Sequence, residues 1–140
     1  MLAIIRISGM VEVLGEIQEA LFRARLRRKY ALVLIKPTSE HMKLIKKIRN
    51  HVAYGDINKE TLSLLIEKRA ILKDSSAKMH VDKILEQIEK KKPESWDIKP
   101  FFRLHPPRGG IDAKKHFGVT KKAVLGDNKD KINDLIRRML

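Results

Sequence analysis

Five histidines, His41, His51, His80, His105 and His116, are the side chains best suited to acid–base or metal chemistry in this sequence. None pairs with another at i, i+4, and none sits beside a carboxylate at metal-ligand spacing. Cysteine is absent, which removes thiolate ligands and disulfides and fits a reducing cytosol. Ser8, Ser39 and Ser75 fall at strand ends, caps and breaks, with no Gly-x-Ser-x-Gly elbow. Arg108-Gly109-Gly110 lacks the strand-to-helix spacing of a phosphate-binding loop, and no Walker motif is present. His105 and His116 share one basic stretch, so a metal-free nuclease using two histidines is the one catalytic alternative. A histidine in such a stretch more often stacks or hydrogen-bonds. No catalytic residue, metal site or cofactor is therefore expected, and no small-molecule substrate.

The chemistry that the sequence does support is polyanion binding. Thirty-one Lys and Arg face seventeen Asp and Glu, for a net charge of +14. An excess of this size repels itself, so a polyanionic partner is its natural explanation. Nucleic acid leads and a membrane surface comes second. No apolar run reaches the roughly 18 residues of a spanning helix. The N-terminus has neither a basic n-region nor an apolar run of signal length, so no leader is expected.

The stretch from Phe101 to Gly126 sets six Lys and Arg against a single carboxylate, Asp112. Arg103 and Arg108 flank the stiff Pro106-Pro107 pair, so their side chains lose less freedom on binding, and His105 is a further candidate contact beside them. Gly109 and Gly110 permit close backbone approach to a sugar-phosphate chain. Lys114, Lys115, Lys121 and Lys122 extend the positive surface, as a loop. Phe101, Phe102 and Phe117 are candidates for base stacking, but strand alternation turns one of Phe101 and Phe102 into the core. Two further basic surfaces are Arg23, Arg25, Arg27, Arg28 and Lys29 at a helix end, and Lys43, Lys46, Lys47 and Arg49 on a helix face. Phosphate contact by these cations would release counterions and give affinity without base readout. The plainer alternative for each is a solvated helix end or loop. No standard RNA-binding module is matched.

The elements that must position these residues can be read from periodicity. Leu2–Ser8 is β-branched and apolar, interrupted by Arg6 and ended by Gly9, and reads as a strand. Residues 12–28 read as a helix, Tyr30–Ile35 as a buried strand, and residues 38–50 as a second helix capped by Thr38 or Ser39. Met42, Ile45 and Ile48 make its inner face. Val52–Ile57 is a short third strand or turn, broken at Gly55. Further helices are predicted over 59–73, 81–92 and 129–139, with Trp96 and Ile98 sealing the core edge and Arg137 and Arg138 outside. The result is one domain, 1–140: an α+β protein with a βαβαβ core over 1–57 and an extension of helices and basic arm over 58–140.

Several of these segments resemble the archaeal form of the large-subunit ribosomal protein thirty family, related to eukaryotic large-subunit protein seven. The resemblance spans the chain. It rests on Ile5-Arg6-Ile7-Ser8-Gly9, Leu26-Arg27-Arg28, Tyr54-Gly55-Asp56-Ile57 leading to Thr61-Leu62, Phe102 to Gly110, and Ile132 to Met139. It implies a ferredoxin-like βαβαβ core with a small antiparallel sheet, and a structural role in the large ribosomal subunit. It further implies contact with large-subunit rRNA, with 5S rRNA and neighbouring ribosomal proteins close by, in the cytoplasm, without catalysis. A free-standing RNA-binding or RNA-chaperone module outside the ribosome is the alternative.

Overall fold

In the computed structural model, which describes residues 1–140, β1 (Leu2–Arg6) forms the middle of the sheet. It pairs antiparallel with β2 (Ala31–Ile35) through Ile4↔Val33 and with β3 (Val52–Asp56) through Ile4↔Tyr54. Successive side chains of β1 alternate faces, and both faces are covered. Leu2 and Ile4 join a cluster with Leu21, Ile45 and Ile48 of the first two helices. Ala3 and Ile5 join a larger one with Leu65, Ile84, Phe102 and Ile136. Burial on both sides is why β1 and β2 read as continuous apolar runs.

Helices α1 (Gly15–Arg23) and α2 (Ser39–Ile48) cover one face, while α3 (Lys59–Arg69), α4 (Val81–Lys90) and α5 (Ile132–Met139) cover the other. The Thr38 hydroxyl accepts from His41 N–H to cap α2, and the Asn58 side chain accepts from Thr61 N–H to cap α3. Trp96 and Ile98 are buried at the core edge, as expected.

Helix α1 is shorter than its periodicity predicts. Its last turn closes in a Schellman motif: Leu26 N–H donates to Leu21 C=O and Arg25 N–H to Phe22 C=O. Arg25 takes φ 62° and Leu26 is buried, so the chain leaves the helix before Arg27. Helix α3 also stops early, because Leu72 bridges to Ile98 and Lys73 N–H donates to Asp97 C=O. On α2, Leu44 takes the half-buried place that the pattern gave to Met42, which is exposed.

The sheet does not stop at β3. Short β4 (Phe102–Arg103) adds to β2, and β6 (Ala123–Asp127) adds to β3 with β5 (Asp112–His116) outside it, giving the order β4-β2-β1-β3-β6-β5. The β3–β6 and β5–β6 pairs are parallel, so the antiparallel core is extended into a six-stranded mixed sheet. The basic loop expected over 111–122 is thus partly strand. Parallel neighbours usually need a crossover of a dozen or more residues. Here residues 117–122 make the connection, in a loop that turns back through a Phe117↔Thr120 bridge, and the β5–β6 register is irregular between Asp112 and His116.

Gly55 does not break β3; it makes the strand compatible with the C-terminal part. A Cβ there would collide with the Lys129 carbonyl and lie 2.9 Å from Ile132 Cβ. Backbone and a β-branched side chain cannot move aside cheaply. Gly55→Ala is expected to cost about 1–3 kcal/mol, the usual range for overpacking. Urea denaturation of the two proteins measures it; an unchanged midpoint would rule out the contact.

Candidate nucleic-acid interface

Arg6 does not interrupt its strand. It ends β1 with its side chain fully buried and no carboxylate beside it. Four backbone carbonyls take its guanidinium: Leu26 at 2.7 Å, Gly9 at 2.9 Å, Ser8 at 3.0 Å and Arg27 at 3.3 Å. Burial lowers its pKa from the ordinary arginine value. The effect on the chain is positional. One side chain pins both the turn after β1 and the loop after α1, and so fixes the origin of Arg25, Arg27, Arg28 and Lys29.

Strand pairing then brings the second basic segment to the first. Ala31 pairs with Arg103 and Leu32 with Phe102, and Leu104 N–H donates to Tyr30 C=O at 3.1 Å. Phe102 is buried, while Phe101 stays half-buried with the Arg103 guanidinium 5.7 Å from its ring centroid. Lys29 sits 5.1 Å from the Tyr30 ring centroid. A groove of about 520 Å³ opens here, lined by Arg25, Arg27, Arg28, Lys29, Phe101 and Arg103 among others. Arg27, Arg28, Lys29 and Arg103 are exposed and have no acidic partner; Arg25 is half-buried and pairs with Glu94 at 3.2 Å.

The rest of the basic stretch is a braced crossing. His105 N–H donates to Met139 C=O and Arg108 N–H to Arg138 C=O. The Arg138 side chain returns two bonds, to Arg108 C=O at 2.9 Å and Gly110 C=O at 2.5 Å. Arg138, expected to stay outside, is half-buried and serves as this brace. Gly109 and Gly110 both have positive φ, 78° and 71°, which turns the chain towards β5. Lys122 Nζ donates to Gly109 C=O at 3.0 Å.

The single arm read from sequence is therefore divided. Arg103 lies at the β4 edge, while Lys114, Lys115, Lys121 and Lys122 lie at the β5 edge, exposed. His105 is exposed beside the first group, and His116 belongs to the second, its Nε2 3.0 Å from Asn50 Oδ1. Those edges are five strand spacings apart, about 24 Å at ~4.8 Å each. The registers nevertheless place both at one end of the sheet, with Arg6, Ala31, Val52 and Ala123 all at that end. Arg49, at the end of α2, is exposed there too. Lys43, Lys46 and Lys47 project from the outer face of α2, Lys47 towards Glu16 at 3.8 Å. Arg23 pairs with Glu19 at 2.6 Å on the surface of α1.

Sequence reasoning missed Arg6 and Arg138 as positioning residues. A lone arginine in an apolar strand was the available signal for the first; nothing local marks the second. Strand β6 had a signal in Ala123-Val124-Leu125, whereas β5, Asp-Ala-Lys-Lys-His, has none. No cluster of three His, Asp or Glu residues is arranged to hold a metal ion.

Fold and charge together define a class: a strongly basic α+β protein that presents a group of unpaired cations at one end of a mixed sheet. No family model matches the chain. It is similar to the large ribosomal subunit protein uL30 of Methanococcus maripaludis, at 35% identity over 153 residues, 99% of this chain and 98% of the relative. The Methanococcus vannielii protein of that name is 36% identical over the same coverage. That of Archaeoglobus fulgidus is 32% identical over 154 residues, 99% of each chain. The chain belongs to the uL30 family of large ribosomal subunit proteins.

Arg25 stands in the left-handed conformation that glycine adopts at helix ends, at a cost of about 1–2 kcal/mol for a side-chain-bearing residue. Arg25→Gly is expected to raise stability by about 1 kcal/mol, and Arg25→Ala to leave that strain in place. Urea midpoints decide between them.

His51 gives a pH signature. Its Nδ1 lies 2.9 Å from Ser8 Oγ, and its pKa is lowered, first by burial and then by the charge of Arg6. The unfolded chain, with an ordinary value near 6.5, therefore takes up the proton first as pH falls. His51 contributes stability that is complete above about pH 6.5 and is lost as pH drops through the folded value. His51→Gln is expected to flatten the fall in urea midpoint between about pH 7.5 and pH 5. An identical fall in the variant would exclude His51 as its source.

Proposed function

We propose that this chain is a structural constituent of the large ribosomal subunit, where it binds large-subunit rRNA through the basic end of its sheet. The observation that carries the reading is the convergence of Arg27, Arg28, Lys29 and Arg103 from segments far apart in sequence, exposed and without acidic partners. Membership of the uL30 family names the assembly. Arg49, Arg108, His105, Gly109, Gly110 and the β5-edge lysines form the remainder of the contact; Lys43, Lys46 and Lys47 are its margin. The role is positional: phosphate neutralisation holds folded RNA, with no catalysis, cofactor or small substrate. The narrower partners are 5S rRNA and adjacent ribosomal proteins, and the compartment is the cytoplasm. No helix is long and apolar enough to cross a membrane. The 1–57 core and the 58–140 extension act as one domain, so wild type and Gly55→Ala should each show one calorimetric transition.

The protein is expected to sediment with the large subunit in high-salt gradients. Recovery only in the soluble fraction would favour a free-standing RNA-binding module instead. Crosslinks within intact ribosomes test the narrower partners. Arg103→Ala and Arg108→Ala should each weaken rRNA binding and lower the slope of log affinity against log salt by about 0.7–0.9. Unchanged slopes would remove the two arginines from the phosphate contact.

A further inference from the structure

We propose that the groove between residues 25–29 and β4 receives one unpaired nucleotide, its base stacked at Phe101–Arg103 and its flanking phosphates held by Arg27, Arg28 and Lys29. This rests on the RNA-binding reading above and adds what enters the groove.

Size limits the occupant. About 520 Å³ falls within the roughly 300–1,000 Å³ typical of small-ligand sites, and a duplex keeps its bases stacked inside and away from such a recess. The wall chemistry selects a base with phosphates on either side. Phe101 is packed on one side against the core shared with α1 and α2, and carries the Arg103 guanidinium 5.7 Å from its centroid. Aromatic rings and guanidinium planes are the two surfaces on which splayed-out bases stack. A receptor for phosphate alone would need no ring. The lining cations outnumber their one carboxylate contact, Glu94 on Arg25.

The groove is also built in advance. Arg6 grips the Leu26 and Arg27 carbonyls, the Schellman turn fixes Arg25, and Pro100 stiffens the approach to Phe101. Little ordering remains for binding to oppose. The φ of 62° at Arg25 is strain held where glycine would relieve it, at the wall of the groove. Every polar side chain lining the groove is a cation, so none accepts from a base amino group. Stacking area therefore sets the choice, favouring purines over pyrimidines.

Two RNA hairpins test this, alike except that 2-aminopurine is bulged in one and paired in the other. The full chain should bind the bulged hairpin about tenfold more tightly, and only its emission should change. Phe101→Ala should abolish the preference and the emission change while keeping the salt slope. Phe101→Leu, which retains apolar packing, should do the same with unchanged circular dichroism. Arg27→Ala with Arg28→Ala should lower the slope while the emission change persists. Equal affinity for both hairpins, or an emission change that survives Phe101→Leu, overturns the proposal and leaves RNA binding standing. Failure to bind either hairpin overturns both.

Discussion

A buried cation without a carboxylate is the constraint on which the rest of this structure depends. Taking a guanidinium out of water costs several kcal/mol unless its donors are met. Arg6 meets them with backbone carbonyls from two different turns. Carbonyl dipoles do not move independently of the chain, so satisfying the charge fixes the chain. The turn after β1 and the loop after α1 become one unit, and the exit of α1, the αL residue at Arg25 and the start of β2 follow from it. A carboxylate partner would have taken a second ion out of water and left the two turns free of each other. It would also have put a negative charge beneath the basic loop.

The same economy of acids runs through the molecule. Surface ion pairs exist, and most lie on helices: Arg23–Glu19, Lys47–Glu16, Lys59–Glu89, Lys90–Glu86 and Arg137–Glu60, with Arg25–Glu94 the exception at the groove. Exposed pairs of this kind contribute little to stability. At the sheet end, Arg27, Arg28, Lys29, Arg49 and Arg103 have no such partner. Their mutual repulsion is opposed by an apolar core on each sheet face, not by local neutralisation. The field that destabilises the isolated fold is the field that draws in a polyanion.

What could be read in advance divides along physical lines. β1, β2 and the inward residues of α5 were legible because burial imposes a period on sequence: Ile132, Leu135, Ile136 and Met139 repeat at helical steps and all are buried. The cap of α2 was legible down to Thr38 or Ser39 because capping is local chemistry, and Thr38 takes the place. β5 was not, since an edge strand exposed along most of its length has no apolar alternation to display. The groove was not, although all its cations had been singled out. Its existence depends on Ala31 meeting Arg103, and long-range register leaves no local trace. Arg138 was read as a solvent-facing residue because a helix pattern records which face is apolar, not where a polar side chain turns.

The bracing of the Pro-Pro crossing has a consequence for the order in which the chain is made. Arg138 follows Arg108 by thirty residues, yet it supplies the bonds that hold residues 108 and 110. Met139 supplies the acceptor for residue 105. During synthesis the cations of this segment emerge well before the residues that give them a shape. An incomplete chain thus carries the charge of this segment before the fold that fixes it, and the crossing takes its shape only when α5 docks.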